Sequence, residues 1–151
     1  MTVTVAVGNP HAPESTALLQ ASHALMLSLF DPESCHFLSI DALCVPEITF
    51  FEGQIDGVTR GCCAIARKDS YGEIKSMFVD PACRGAGLAD AMLEAIFAVA
   101  RDEGIPILRL ETGTLLTAAH KLYQRHGFTF CGPFGDYTDH PDSLFMEKPM
   151  T

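Results

Sequence analysis

The sequence predicts one α+β domain spanning residues 1–151. It should hold a mixed, mostly antiparallel sheet flanked by helices, with a β-α-β unit at its centre. Three observations carry this. Three strand-like segments between Ile48 and Val79 follow one another with only short turns between them, as an antiparallel meander does. Leu88, Met92, Ile96 and Val99 then recur at helical spacing, and Ile107 to Leu110 returns to strand character. The chain has 151 residues, the size of one ordinary domain with a core that needs no staple.

Taken in order, Thr2 to Val7 alternates threonine and valine and reads as a short strand, broken by Gly8-Asn9-Pro10. Pro13 suits a first helical turn. Leu18, Leu19, Ser22, Met26, Leu29 and Phe30 continue at helical spacing until Asp31-Pro32. Residues 33–46 carry no clear periodicity. Ile48 to Phe51 is expected as a strand with its turn at Gly53 to Gly57. Arg60 to Lys68 and Tyr71 to Val79 are the next two strands, and Pro81 stops the last. Gly104 and Pro106 end the helix that starts near Leu88. Ala119, Leu122 and Tyr123 suggest a further helix ended by Gly127. Phe128 to Cys131 and Leu144 to Glu147 complete the strands.

Composition narrows the class. Hydrophobic residues make up 48% and charged residues 19%, which is globular rather than disordered. The formal charge is −9, which disfavours nucleic acid as a partner. No apolar run approaches the ~20 residues of a membrane span. The amino terminus lacks a basic region and a signal core, so a cytoplasmic protein is expected. The six cysteines include no C-x-x-C pair and are expected as reduced, mostly buried thiols. Cys62 and Cys63, adjacent on a strand, should face opposite sides of the sheet. No histidine shows metal-ligand spacing, so no metal is expected.

The chemistry centres on Arg84-Gly85-Ala86-Gly87-Leu88-Ala89, between a strand and a helix. Two glycines let the backbone turn sharply and approach a ligand. A helix start offers unpaired N–H groups and the positive end of a dipole. Arg84 adds a permanent charge and a fork of donors. Together these suit a pyrophosphate. A turn whose glycines serve geometry alone has the same local pattern. A dinucleotide fingerprint would need glycine at position 90, where Asp90 stands, although Glu111 could mimic a ribose-binding acid.

This loop, with Arg84, Gly87 and Ala89 on a Gln/Arg-x-x-Gly-x-Gly/Ala pattern, resembles the GCN5-related N-acetyltransferase (GNAT) superfamily. So do the preceding strand, Glu73-Ile74-Lys75-Ser76-Met77-Phe78-Val79-Asp80-Pro81, and the later block Leu122-Tyr123-Gln124-Arg125-His126-Gly127-Phe128. The three blocks stand in the family's order, and the similarity is strongest from Gly72 to about Phe128. The resemblance implies a splayed sheet holding acetyl-CoA as cosubstrate. Backbone groups around Met77, Phe78 and Val79 would pair with the pantetheine arm. N–H groups from Gly85 through Ala86, Gly87 and Leu88 to Ala89 would receive the pyrophosphate. Where many relatives carry an asparagine before the second helix, this chain has Leu116.

The resemblance further implies an N-acetyltransferase in which a primary amine attacks the thioester directly. Glu73, eleven positions before Arg84, matches the offset of the family's catalytic glutamate. Strand alternation puts Glu73, Lys75 and Met77 on one face, so Glu73 is either the base or the partner of Lys75 in an ion pair. Tyr123 resembles the family's general acid, and a tyrosine packed in the core is the plainer reading. In the Gly- and Pro-rich segment from Cys131 to His140, Phe134, Asp136 and Tyr137 are candidates for the acceptor pocket. Ser34 to Phe37 is a further candidate. The acidic balance, with Asp136, Asp139 and Asp142, points to a cationic or zwitterionic amine, small or amino-acid-like. A noncatalytic acetyl-CoA sensor and a protein or peptide N-acetyltransferase are the alternatives. A homodimer is expected by analogy alone.

Overall fold

The computed structural model describes residues 1–151. Seven strands and three α-helices run in the order β1 (Val3–Val7), α1 (Pro13–Leu29), β2 (Ile48–Ile55), β3 (Val58–Arg67), β4 (Gly72–Val79), α2 (Leu88–Glu103), β5 (Ile107–Gly113), α3 (Thr117–Arg125), β6 (Thr129–Cys131) and β7 (Ser143–Pro149). Two single 3₁₀ turns, Pro32–Ser34 and Asp41–Cys44, fill the segment whose sequence has no period.

One sheet holds all seven strands in the order β1-β2-β3-β4-β5-β7-β6. Neighbours are antiparallel except β4 and β5. Helix α2 connects that parallel pair, because a parallel neighbour can be reached only by a crossover. The expected α+β fold with its central β-α-β unit is therefore present.

Each face of the sheet has its own core. Helix α2 buries Leu88, Met92, Leu93, Ile96, Phe97 and Ala100, a stripe at i, i+4 and i+8 spacing with its i+5 companions. They pack with Phe51, Cys63, Ile65, Ile74, Leu108, Leu110, Tyr123 and Phe128. On the other face α1 places Leu18 and Leu19 against Phe50, Cys62, Ala64 and Phe78. Each large apolar side chain buried this way is worth about 1.5–3 kcal/mol relative to exposure. Cys62 and Cys63 do face opposite sides. All six thiols are free, but Cys62 and Cys63 alone are buried, and Cys44 is exposed. The other four lie on turns and strand ends, where the chain leaves the core.

Two expectations are corrected. Gly53 lies inside β2 rather than in a turn, and the hairpin turns on Asp56 and Gly57, both at positive φ. A Cβ at Gly53 would come within 2.8 Å of Leu88 Cδ1, so this glycine lets the first turn of α2 lie close on the sheet. The second concerns alternation along β4. Cys62 pairs with Phe78 and Ala64 with Lys75, so Ser76 and Met77 together oppose Cys63. Ser76 adopts φ +57°. This bulge sends Met77 to the α2 face and Phe78 to the α1 face. Met77 therefore does not share a face with Glu73 and Lys75.

No helix is long and apolar enough to cross a membrane.

Candidate active site

Strands β4 and β5 pair only at Gly72 with Leu108 and Glu73 with Arg109. Beyond Glu73 the bulge bends β4 away, and β5 continues alone along β7 to Gly113. The edge of β4 from Lys75 to Val79 that faces β5 therefore has no strand partner. A sheet opened in this way offers backbone donors and acceptors to an extended ligand. Met77, Phe78 and Val79 stand on that edge.

The loop from Arg84 to Ala89 follows directly. Gly85 and Gly87 take φ of +85° and +84°, and a Cβ at either would meet nothing within 4 Å. The residues are glycine because of the left-handed backbone and not because of crowding. Gly87 caps α2 with no side-chain acceptor. The first N–H in this stretch to bond within the protein is that of Ala91, to Gly87 O. The N–H groups of Gly85 to Asp90 are thus free at the positive end of a sixteen-residue helix, a site made for an anion. Arg84 is exposed beside them. A pyrophosphate fits this cradle on the donor set alone. Asp90 is held in the first turn by Arg125 at 2.9 Å and His126 at 2.7 Å. These bonds keep its carboxyl below the usual range, the His126 bond foremost, and turn its charge toward α3.

On the α1 face, a cleft of about 660 Å³ is lined by His36, Phe37, Tyr71, Glu73, Lys75, Asp136 and Tyr137, among others. The structure thereby gathers Glu73, Asp136, Tyr137 and, from the Ser34–Phe37 segment, His36 and Phe37. Phe134 stands behind this wall, buried and edge-on to Tyr71, Tyr137 and Phe145. It anchors the loop and does not line the cleft. Asp136 is exposed on the wall, whereas Asp142 accepts from Ser34 Oγ at 2.9 Å.

Glu73 is 4% exposed, and one oxygen of its carboxylate, Oε2, is engaged twice. Tyr137 donates to Oε2 at 2.5 Å and Lys75 Nζ lies 3.4 Å from the same oxygen. Lys75 also donates to Tyr137 Oη at 2.9 Å and to His36 O at 3.0 Å. The ion pair expected as the alternative to catalysis exists, and it stands in the cleft itself. Burial, then Glu73, pushes the Tyr137 phenol well up.

Tyr123 sits on α3, buried against Phe128 with ring centroids 5.6 Å apart. Burial above all, with Glu111 adding, pushes its phenol well above the ordinary value. It stays a proton donor at any ordinary pH. Glu111 is the residue that the sequence reading passed over as a catalytic candidate. Register pairs it with Phe145, while its neighbours Leu108 and Leu110 point into the α2-side core. Glu111 therefore shares the Glu73 face. Burial pushes its carboxyl up, against the pull of the Ser143 hydroxyl and then of His36 and Lys75. Alternation from Leu108 and Leu110 is the signal that could have found it.

A model of the acetyltransferase (GNAT) family matches residues 18–128. The chain is 39% identical over 150 residues to the IAA acetyltransferase of Azospirillum brasilense, covering 98% of each chain. It is 38% identical over 131 residues to the uncharacterized N-acetyltransferase YsnE of Bacillus subtilis, with 85% of this chain and 86% of that one covered. A crystal structure from Klebsiella pneumoniae, assigned as an acyl-CoA N-acyltransferase, superposes with a TM-score of 0.83 at 32% identity. That match covers 99% of this chain and 98% of the other.

Proposed function

The chain belongs to the acetyltransferase (GNAT) family and is an acetyl-CoA-dependent N-acetyltransferase, and from that premise we propose that it acetylates a primary amine of a small-molecule or amino-acid-like acceptor by direct attack. One observation carries the acceptor reading. The cleft of about 660 Å³ is of small-molecule size, and it opens on the same face of β4 that bears Glu73. Its Asp136 carboxylate suits a cationic or zwitterionic amine.

The cofactor, when bound, supplies an acetyl group already activated as a thioester. The protein's residues do the rest. Free N–H groups from Gly85 to Ala89 and Arg84 hold the pyrophosphate. The unpaired edge at Met77, Phe78 and Val79 would hold the pantetheine arm. Glu73 takes up the proton that the amine must lose. Tyr123 protonates the departing sulfur.

The test is turnover of acetyl-CoA against a panel of primary amines, amino acids, polyamines, aminoglycosides and IAA, with CoA release as the readout. Acetylation of one amine class well above the background rate is the expected result. Tight acetyl-CoA binding without any acetylated amine would favour the noncatalytic sensor, and acetylation of peptides alone the protein-modifying alternative.

A further inference from the structure

We propose that Tyr137 is itself a catalytic residue: its hydroxyl stands between the acceptor amine and Glu73 and passes the amine's proton to the carboxylate. The inference rests on the acceptor reading above and deepens it. The Glu73 oxygen that carries its ion pair, Oε2, is already covered by the Tyr137 hydroxyl, so an amine reaches that oxygen only through the hydroxyl. That hydroxyl uses its proton on Glu73 Oε2 and one lone pair on Lys75 Nζ. A phenolic oxygen has a second lone pair, and Tyr137 lines the cleft. The free lone pair is where an amine N–H can donate.

The position is built rather than incidental. Gly135, Asp136 and residues 138–141 of the same loop are exposed, and Phe134 and Tyr137 pin it to the sheet. Phe134 and Phe145 pack on the Tyr137 ring at 5.1 and 5.5 Å between centroids. His36 stands edge-on at 5.2 Å, and its carbonyl fixes Lys75. Three separate chain segments thus converge on one hydroxyl. The high phenol value fits a group that never rests as phenolate and only hands protons on.

The step balances. As the amine nitrogen bonds to the acetyl carbon, its proton moves to Tyr137 Oη while the original Tyr137 proton moves to Glu73 Oε2. Tyr137 ends neutral and Glu73 ends as the acid, to be reset by solvent in the cleft. The carbon–sulfur bond breaks, and the sulfur takes its proton from Tyr123, whose phenolate regains one from solvent after CoA departs. Lys75 holds the hydroxyl in line throughout and gives up no proton.

Tyr137→Phe keeps the ring and its packing and removes only the hydroxyl, with its bonds to Glu73 and Lys75. With the best amine of the panel, kcat should fall about 10²- to 10³-fold. Acetyl-CoA affinity by calorimetry and the thermal midpoint should stay near the parent's. A double-mutant cycle with Glu73→Gln separates a relay from mere support. Two links of one chain give non-additive losses, so the double variant should be no slower than the slower single one. The relay is overturned if Tyr137→Phe turns over like the parent, or if the two losses multiply. A parent that binds acetyl-CoA but acetylates no amine would sink the acceptor reading together with the relay. An active parent with an equally active Tyr137→Phe sinks the relay alone.

Discussion

The Cys62 thiol donates to the Ser76 carbonyl at 3.4 Å across the two middle strands, and Ser76 holds a left-handed φ of +57°. This contact marks the bulge that reorganises β4. Glu73 and Phe78 are five residues apart and would oppose each other on a regular strand. The extra residue puts both on the α1 face. It also bends β4 off β5, which opens the sheet where the cofactor's arm is proposed to enter. One serine in an unfavourable conformation therefore sets both the proposed catalytic face and the proposed cofactor slot.

A β-branched side chain tolerates that conformation badly. Ser76→Val should destabilise the protein by about 1–3 kcal/mol, read as a lower midpoint in urea. Ser76→Gly, which accepts positive φ freely, should remain within about 1 kcal/mol of the parent. Equal stability of the two variants would mean that the bulge carries no backbone strain.

Gly87→Glu tests the anion cradle. The backbone there has φ +84°, and an added Cβ meets nothing within 4 Å. The variant should fold at a cost of about 1–2 kcal/mol for the left-handed residue. Its carboxylate would stand over the free N–H groups that the pyrophosphate needs. Acetyl-CoA affinity in calorimetry should drop at least about tenfold, the effect of losing ~1.4 kcal/mol. A folded variant that binds like the parent would place the pyrophosphate elsewhere.

How legible this site was depends on the kind of signal. Arg84 to Ala89 could be read because glycine spacing reports backbone conformation directly, and Gly85 and Gly87 do take positive φ. The helix of Leu88, Met92 and Ile96 was legible because its apolar stripe is regular. Strand alternation failed at Met77, since a bulge at a serine leaves no mark in residue type. It misled again at Gly53, where a strand glycine that admits Leu88 looks like a turn glycine. The Glu73–Tyr137 bond joins residues 64 positions apart. No local pattern encodes such a contact. The sequence could name Tyr137 only by the loop it stands in, and it assigned Phe134 the cleft position that the fold gives to a buried anchor.

Tyr123→Phe removes a hydroxyl from a ring that packs on Phe128 and lies within the α2-side core. The packing survives, so stability and acetyl-CoA affinity should change little. Turnover should fall about 10²- to 10³-fold if the phenol protonates the sulfur. The discriminating measurement varies the leaving group. A thioester whose thiol is more acidic needs the proton less, so Tyr123→Phe should lose less rate with it. The same loss with both thioesters would make Tyr123 a packing residue.

Glu111 gives a prediction whose sign follows from its surroundings. Burial raises its carboxyl above the ordinary 4.5, the Ser143 hydroxyl, His36 and Lys75 oppose it, and the nearby Glu73 charge adds a little to the rise. A carboxyl raised in the native state holds its proton more tightly there than in the unfolded chain. The native state is therefore penalised as pH climbs from the unfolded value through the folded one, and the whole penalty is present above both. Glu111→Gln is neutral at every pH and escapes it. The variant's thermal midpoint should exceed the parent's at pH 7–8, and the gap should shrink as pH falls toward 4, where the parent's carboxyl is protonated too. Turnover at neutral pH should change little through Tyr123, because burial above all keeps that phenol protonated. A midpoint difference that stays constant from pH 8 to pH 4 would show that Glu111 titrates as an ordinary surface carboxyl.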